Sequence, residues 1–508
     1  MFSRLLGLIR EQVFAALFGA GYAYDAFVVA FRIPNLLRDL FGEGALSAAF
    51  VSVFSDYNAN RTSEETWRLA SNVLCFMTVV VSLIALFGIL CADWIVALLA
   101  PDFNLVKGKA ELTATMTMIM MPFLLFISLA AVVMGILNTK NRFFIPSLAS
   151  SFFNLGSIIG GTSLAFFLPR YGYPAIVGMA FGTLIGGFLQ LAVQLPSLKA
   201  IGFRFVPILN LNDPGLVRVL KLMVPATIGL SATQINIFIN TNFAASCSEG
   251  SVSWLNYAFR LVQLPIGLFG VAISIAALPL LARQASQKQF EDMRRTFVSS
   301  LTMVFGLTIP ATLGLVLLAE PIIKVIFEHG AFLASDTHAT AVALSLYGIG
   351  LFAYAANKVI VPVYYAIDAP RFPVIASFMA IGFNVLIIMQ TIDRFQHRAI
   401  ALSTSLVMII NFTFLVTVLY NKIGGFSVSR LSAGIVKVGS AAALMSAVLL
   451  GLKAAFSGWF DQSLQYQCAA LLVIISASAG VYTVALHLLG LKELTDVTTR
   501  IRDRFTRR

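Results

Sequence analysis

Apolar residues run through the chain in long stretches, separated by short polar connectors that carry much of the basic charge. A bilayer core about 30 Å thick needs about 20 predominantly apolar residues per helix. On that window the first six segments lie at 1–20, 24–54, 69–99, 113–138, 143–168 and 174–196. After a connector at 197–213 come 214–246, 251–282, 293–319, 339–367, 371–391 and 399–420, then 430–453 and 466–490. The runs are too long for strands and lack period-two alternation. They predict an all-α polytopic membrane protein with fourteen transmembrane helices. The first segment is too charged for a signal peptide and has no small-residue cleavage site. Between the second and third segments, Thr62 and Glu65 have capping-box spacing, which predicts a short helix leading into the third.

Composition agrees with the pattern. Of 508 residues, 59% are hydrophobic and 11% charged. A water-facing surface normally requires about 25% charged residues, so a soluble enzyme, a disordered scaffold and a secreted disulfide module are poor fits. Cys75, Cys91, Cys247 and Cys468 form no CxxC pair, and His329, His338, His397 and His487 show no metal-ligand spacing. The formal net charge is +12, but the basic residues form no nucleic-acid patch. They divide between loops instead. Twenty-one lie in one set of loops and the C-terminal tail against seven in the opposite set, which places both termini in the cytoplasm. The tail from Lys492 onward anchors that orientation and could dock on anionic lipid.

The second and eighth segments align without gaps at an offset of 228: Ala30-Phe31-Arg32 falls on Ala258-Phe259-Arg260 and Leu40-Phe41-Gly42 on Leu268-Phe269-Gly270. That makes nine identities over residues 30–53. Arg142-Phe143 echoes Arg371-Phe372 at an offset of 229. An even separation of six spans keeps the same topology in both halves, so two parallel-repeat six-helix lobes are expected, with a substrate site between them as in transporters. The expected divisions are an N-lobe at 1–197, an interfacial linker at 198–213, a C-lobe at 214–425, two extra helices at 426–490 and a basic tail at 491–508.

Charge also occurs where lipid is expected. Arg4, Arg10, Glu11, Asp25, Arg32, Arg38, Asp39 and Glu43 fall in or at the ends of the first two segments. At about 2.5–3.5 kcal/mol for each charge at a helix centre, these eight would cost roughly 20 kcal/mol in hydrocarbon. They must line a watery cavity or pair inside the bundle. Arg4 and Glu11 share a helix face, as do Arg32 and Asp39, with Glu43 one turn beyond. Arg10 and Arg38 are offset from those stripes, which predicts that they keep donors available for a ligand. The alternative is that the cluster is only an ion-pair network. Arg260 and Lys358 have no acid within their own segments. Cations from both halves point to an anionic substrate, and the planar guanidinium fork suits phosphate. Asn35 and Gln263 align across the repeat and could reach a sugar. Pro34, Gly42 and Gly44 in the second segment, and Pro265 and Gly270 in the eighth, predict broken helices able to act as hinges. Asn236, Asn240 and Asn384 offer only neutral oxygens to a coupling cation, so Na+ or H+ coupling stays open beside the membrane potential.

The stretches SRLLGLIRE (3–11), FGAGYAYDAFVVAFRIPNLLRDLFGEGALSAAFVSVF (18–54), NTKNRFFIPS (138–147), GSVSWLNYAFRLVQLPIGLFGVAI (250–273) and FEHGAF (327–332) resemble the MurJ (MviN) family. These are lipid II flippases of the multidrug/oligosaccharidyl-lipid/polysaccharide exporter superfamily. The resemblance covers nearly the whole chain. It implies a MATE-like fold of two lobes around a cationic cavity, with the last two helices forming a groove for a polyprenyl tail. It also implies that Arg4, Arg10, Asp25, Arg38, Arg260 and Lys358 are the sensitive cavity residues. Glu11 replaces the family's usual aspartate, and Phe259 stands where an acid commonly precedes the arginine. The apolar stretch the family usually has ahead of Ser3-Arg4 is missing, which the resemblance reads as a late start assignment or a trimmed chain.

The function expected is movement of lipid II, an undecaprenyl-pyrophosphate disaccharide-pentapeptide, from the cytoplasmic to the periplasmic leaflet of the inner membrane by alternating access. In that reading Arg10, Arg38 and Arg260 clamp the pyrophosphate, Arg4 and Lys358 add positive potential, and Asp25 and Glu43 orient the arginines. No cofactor, enzyme activity or nucleic-acid partner is expected; the chain is read as a monomer, with contact to the cell-wall synthesis machinery left open. The rivals are a flippase for another polyprenyl-linked oligosaccharide and a MATE-type drug exporter, the latter disfavoured because its cavity would need carboxylates.

Overall fold

The structure, a computed structural model, describes residues 2–41 and 44–491, and the regular secondary structure among them is helical. Gly42, Glu43 and the basic tail from 492 onward lie outside the described residues. The chain forms two compact units, Met1–Ser253 and Trp254–Arg508.

The first unit comprises α1 (Phe2–Phe18), α2 (Tyr22–Phe41), α3 (Ala45–Asn60), α4 (Ser63–Leu90), α5 (Ala92–Leu99), α6 (Lys109–Met120), α7 (Phe123–Thr139), α8 (Phe144–Phe167), α9 (Val177–Ala192), α10 (Leu195–Ala200) and α11 (Pro214–Ala245). It also takes in the first turn of α12 (Ser251–Pro265). Its core joins Phe50 and Phe54 of α3, Leu69 and Val73 of α4 and Phe123 and Ile127 of α7. The tightest seam is between α8 and α9. A Cβ on Gly182 would sit 2.5 Å from the Cα of Gly161 and 2.7 Å from the carbonyl oxygen of Ser157. Gly178, Gly182 and Gly186 recur every fourth residue, so the two backbones meet directly, as small-xxx-small pairs do in membranes.

The capping box forms as expected. The Thr62 hydroxyl accepts from Glu65 N at 3.2 Å, and the Glu65 carboxylate accepts from Thr62 N at 3.1 Å. It caps the full 28-residue α4 instead of a separate short helix. Propensity and apolar burial favour continuing the helix once its first turn is satisfied. The connector after α10 is extended and fastened to α4. The Asn72 side chain donates to Asn210 O and accepts from Asn210 N, both at 2.9 Å, in the way a neighbouring strand would. Phe205, Leu209 and Leu211 stay exposed beside Arg204, which suits a segment at a membrane interface. By packing, α11 belongs with the first unit, against α3, whereas span counting assigns it to the second lobe.

The rest of α12 opens the second unit, followed by a π-helical turn (Ile266–Gly270), α13 (Val271–Ser286), α14 (Phe290–Leu317), α15 (Ala319–Phe327), α16 (Ala334–Ile349) and α17 (Leu351–Ala366). Then come α18 (Arg371–Phe395), α19 (His397–Lys422), α20 (Val428–Ala455) and α21 (Leu464–Leu488). Phe297 and Phe305 of α14, Val359 and Tyr364 of α17 and Leu415 of α19 make the core. The last two helices pack on α14, where the Tyr482 hydroxyl donates to Gly306 O at 2.5 Å and Lys453 Nζ donates to Leu317 O at 2.9 Å. The interruptions expected in the second and eighth segments are present. One separates α2 from α3 next to Gly44, and the other is the π-helical turn after Pro265, which ends at Gly270. They fall at corresponding positions of the sequence repeat.

Ten helical stretches among the described residues are long and apolar enough to cross a membrane, or eleven with the pair α16 and α17, bent by 43°, taken as one. The chain is therefore a multi-pass membrane protein. The helices at three further expected spans, α1, α2 with α3, and α11, are outside that set. The physical cause is plain for the first two: α1 has only 17 residues, and α2 carries Asp25, Arg32, Arg38 and Asp39.

Candidate functional site

The charges of α1 and α2 sort into two groups along α2. At one end, Arg10 and Glu11 of α1 are both buried, with Arg10 Nη2 donating to Glu11 Oε1 at 2.8 Å. Glu11 Oε2 accepts from the Tyr24 hydroxyl at 2.5 Å. The Arg10 guanidinium also lies 5.8 Å from the ring centre of Phe14 and 5.5 Å from that of Phe153, so aromatic faces supplement its one carboxylate. Farther along α2, Arg38 Nε and Nη2 both donate to Asp39 Oδ1, at 3.2 and 2.9 Å. Asp39 Oδ2 accepts from Gln234 of α11 at 3.3 Å.

These pairings correct the expected ones. Glu11 and Asp39 are taken by their immediate neighbours, not by Arg4 and Arg32. Seven residues of helix separate the expected partners by about 10 Å of rise, whereas a long guanidinium stem can fold sideways onto the adjacent carboxylate. Arg10 and Arg38 thus each spend donors on the adjacent carboxylate, while Arg10 Nε makes no hydrogen bond. Arg10 is shut away, while the Arg38 side chain keeps 25% of its surface accessible.

Asp25 belongs to a different constellation. Its carboxylate accepts from Ser253 N at 2.9 Å, Ser253 Oγ at 2.6 Å, Gly250 N at 2.9 Å and Lys109 Nζ at 3.1 Å. Gly250 and Ser253 supply N–H groups at the start of α12, so the anion sits on the positive end of that helix. The favour is returned: Glu249 accepts from Tyr22 N, at the start of α2, at 2.9 Å. Lys109 is the first residue of α6, 3% exposed, with its ammonium 4.3 Å from the Phe103 ring centre. A cavity of about 210 Å³ opens beside this group, lined by Asp25, Asp102, Lys109, Cys247 and Glu249 among others. Asp25 therefore does not orient the arginines. Its acceptors are filled, and Arg38 lies thirteen residues, about 20 Å, along the same helix.

In the second unit, Arg260 is half-buried on α12, and its neighbour Phe259 packs edge-on against Tyr347 at 5.4 Å and against Tyr354 at 6.5 Å. Lys358 Nζ is 5.6 Å from the same Tyr354 ring. An aromatic cluster thus occupies the place where an acid was expected beside the arginine. Arg4 is exposed near the start of α1; Arg32 and Asn35 are half-buried and Gln263 is exposed. Pro34 is accommodated within α2. Asn384 is buried, with its Oδ1 accepting from Ser403 at 2.7 Å. Glu43 and Gly42 lie outside the described residues. Sequence reasoning missed Lys109, counted there as a loop charge, and the acceptor role of Glu249. The only signal was Ser248-Glu249-Gly250-Ser251 ahead of an apolar run, a helix-start pattern.

Comparison with known proteins places this arrangement in context. The profile of the family described as "Lipid II flippase MurJ" matches residues 14–469. A protein of Buchnera aphidicola from Schizaphis graminum, named "Probable lipid II flippase MurJ", is 33% identical over 97% of this chain and 95% of its own. "Lipid II flippase MurJ" of Burkholderia cenocepacia is 36% identical over 77% of this chain and 75% of its own. The solved structure "Lipid II flippase MurJ, inward closed conformation" superposes with a TM-score of 0.78 at 28% identity, covering 95% of this chain and 96% of that one. An inward-facing MATE transporter of the MOP superfamily shares the fold at a TM-score of 0.71 and 15% identity, over 85% of this chain and 95% of its own. A multi-pass helical chain with charge built into its first two helices, matched over nearly its full length by proteins named lipid II flippases, belongs to the lipid II flippase MurJ family.

Proposed function

We propose that this protein moves lipid II from the cytoplasmic to the periplasmic leaflet of the bacterial inner membrane by alternating access. Both termini are cytoplasmic in this reading, and the chain crosses the bilayer fourteen times, α1, α2 with α3, and α11 being the polar crossings. Two six-helix lobes carry out the transport and α20 with α21 form the groove for the polyprenyl tail. The observation that carries the proposal is the family match over residues 14–469. The 21-to-7 division of loop charges supports the orientation.

Arg38 is the residue best suited to meet the pyrophosphate. Its guanidinium is partly accessible and donates through Nε and Nη2 to Asp39 Oδ1, while the other Asp39 oxygen accepts from Gln234. A phosphate oxygen pair taking the place of Asp39 Oδ1 would meet the same Nε and Nη2 donors in a charge-assisted fork. Arg10, buried against Glu11, sets a fixed potential and joins the clamp only when α1 and α2 move apart. Arg4, Arg32, Arg260 and Lys358 add positive charge for the same headgroup, and Asn35 and Gln263 reach its sugars. The turn at Gly44 and the π-helical turn after Pro265 serve as hinges, with Pro34, Gly42 and Gly270 beside them. Release follows loosening of the clamp by protonation, by the membrane potential or by ion binding.

The test is complementation of cells depleted of their own flippase, scoring lipid II accessible on the outer leaflet. The wild-type chain should restore it. Arg38→Ala and Arg260→Ala at equal protein level should each reduce transport about 10-fold or more, the value of a charge-assisted contact. Undiminished transport by both variants would overturn the clamp, and failure of the wild-type chain would overturn lipid II as cargo.

A further inference from the structure

Where α18 begins and its partner α19 ends, two cations share one aromatic ring. The Arg371 guanidinium lies 4.9 Å from the centre of the Phe372 ring, and Lys422 Nζ lies 5.7 Å from it. Both side chains belong to exposed residues, and neither has a carboxylate partner among the described residues. The nearest acid in sequence, Asp368, sits in the turn before α18 and makes no ion pair with either.

Helix electrostatics make this arrangement costly as it stands. Arg371 is the first residue of α18, at the positive end of the helix dipole, where cations are disfavoured. Lys422, in the last turn of α19, would ordinarily settle on the carbonyls at its own helix end. That place is taken by Arg294, whose Nε donates to Ile423 O at 2.7 Å. Lys422 is thereby turned toward Phe372. Two positive side chains and a positive helix end converge on a patch where neither side chain makes an ion pair with the described residues.

The depth of the patch indicates what neutralises it. Ile375, Phe378, Leu386 and Met389 leave an exposed apolar stripe along α18, and Arg371 stands one turn beyond its end. An apolar stripe in a membrane-spanning helix faces hydrocarbon, so its end marks the level of the lipid headgroups. We infer that Arg371 and Lys422, held on the ring of Phe372, form a binding site for the phosphate of an anionic phospholipid headgroup. The motif is the Arg-Phe pair that recurs as Arg142-Phe143. In the first unit the neighbouring cation Lys140 is occupied, lying over Trp67 and donating to Asn58, so the two-cation arrangement belongs to the second unit.

The full chain would be reconstituted in vesicles of phosphatidylcholine mixed with phosphatidylglycerol, then extracted, and the enrichment of phosphatidylglycerol retained on the protein measured by mass spectrometry. A lysine or arginine at an anionic surface contributes enough for about a 5-fold change in affinity. Arg371→Gln and Lys422→Gln should each lower enrichment by about that factor, and the double variant by more. Arg371→Lys and Lys422→Arg should retain most of it, as should Lys288→Gln, an exposed basic site elsewhere. Equal melting in phosphatidylcholine alone establishes that the variants are folded. Enrichment unchanged in the double variant, or lost equally in Lys288→Gln, would overturn the site. Inorganic phosphate displacing the retained lipid at matched concentration would overturn its assignment to a lipid headgroup.

Discussion

Asp25→Asn tests whether one carboxylate ties together three helices of the first unit. In the wild type that group receives Lys109 Nζ, two N–H groups at the start of α12 and the Ser253 hydroxyl. Asparagine is the same size but is neutral, and its amide can accept at only one of the two oxygen positions. Its NH2 then faces a donor. Lys109, 3% exposed, is left without its counter-charge. Breaking one side of a buried ion pair costs about 3–5 kcal/mol. At about 2–4 °C per kcal/mol for a unit of this size, the apparent melting temperature should fall by on the order of 10 °C. Heating the detergent-purified protein with a thiol-reactive dye provides the assay, because Cys247 is a free, half-buried cysteine lining the adjacent cavity. Asp25→Asn combined with Lys109→Met removes the stranded ammonium and should recover more than half of the loss. The reasoning fails if the single variant melts with the wild type, or if the double variant melts no higher than the single.

Two further outcomes follow from packing. Glu11→Gln leaves Arg10 buried without its carboxylate and should destabilise by about 3–5 kcal/mol, whereas Tyr24→Phe removes one hydrogen bond and should cost about 1–2 kcal/mol; thermal melts of the two variants rank them, and the reverse order would contradict the assigned roles. Gly182→Val forces a side chain into the Gly161 backbone and should cost about 3 kcal/mol or more. Gly314→Ala, in open space within α14, should be neutral or stabilise by up to about 1 kcal/mol. Comparable melting losses in the two glycine variants would refute the close-contact account of the α8–α9 seam.

Much of the architecture was legible because apolar run length is a direct record of bilayer thickness. The capping box at Thr62, the breaks near Gly44 and Pro265 and their repeat relationship were all written in local spacing. Side-chain partnerships were not. Helical periodicity selected Arg4 with Glu11 and Arg32 with Asp39 because it reports which Cα atoms share a face. It does not report how far a flexible guanidinium stem can swing. Lys109 was the harder miss. On paper it stands in a polar turn with Lys107 and Gly108, and only the three-dimensional meeting of α2, α6 and the start of α12 shows that its ammonium is buried on Asp25. The aromatic surroundings of Phe259 were equally silent, since Tyr347 and Tyr354 approach it from helices almost a hundred residues away.

The backbone-to-backbone seam of α8 and α9 also governs how the first unit can deform. Where glycine Cα atoms touch, no rotamer exists to be exchanged, so neither helix can slide or roll without prising the two apart. The pair behaves as a single strut, and bending of the unit must be absorbed by helices packed through side chains. Rigidity here is set by where side chains were left out.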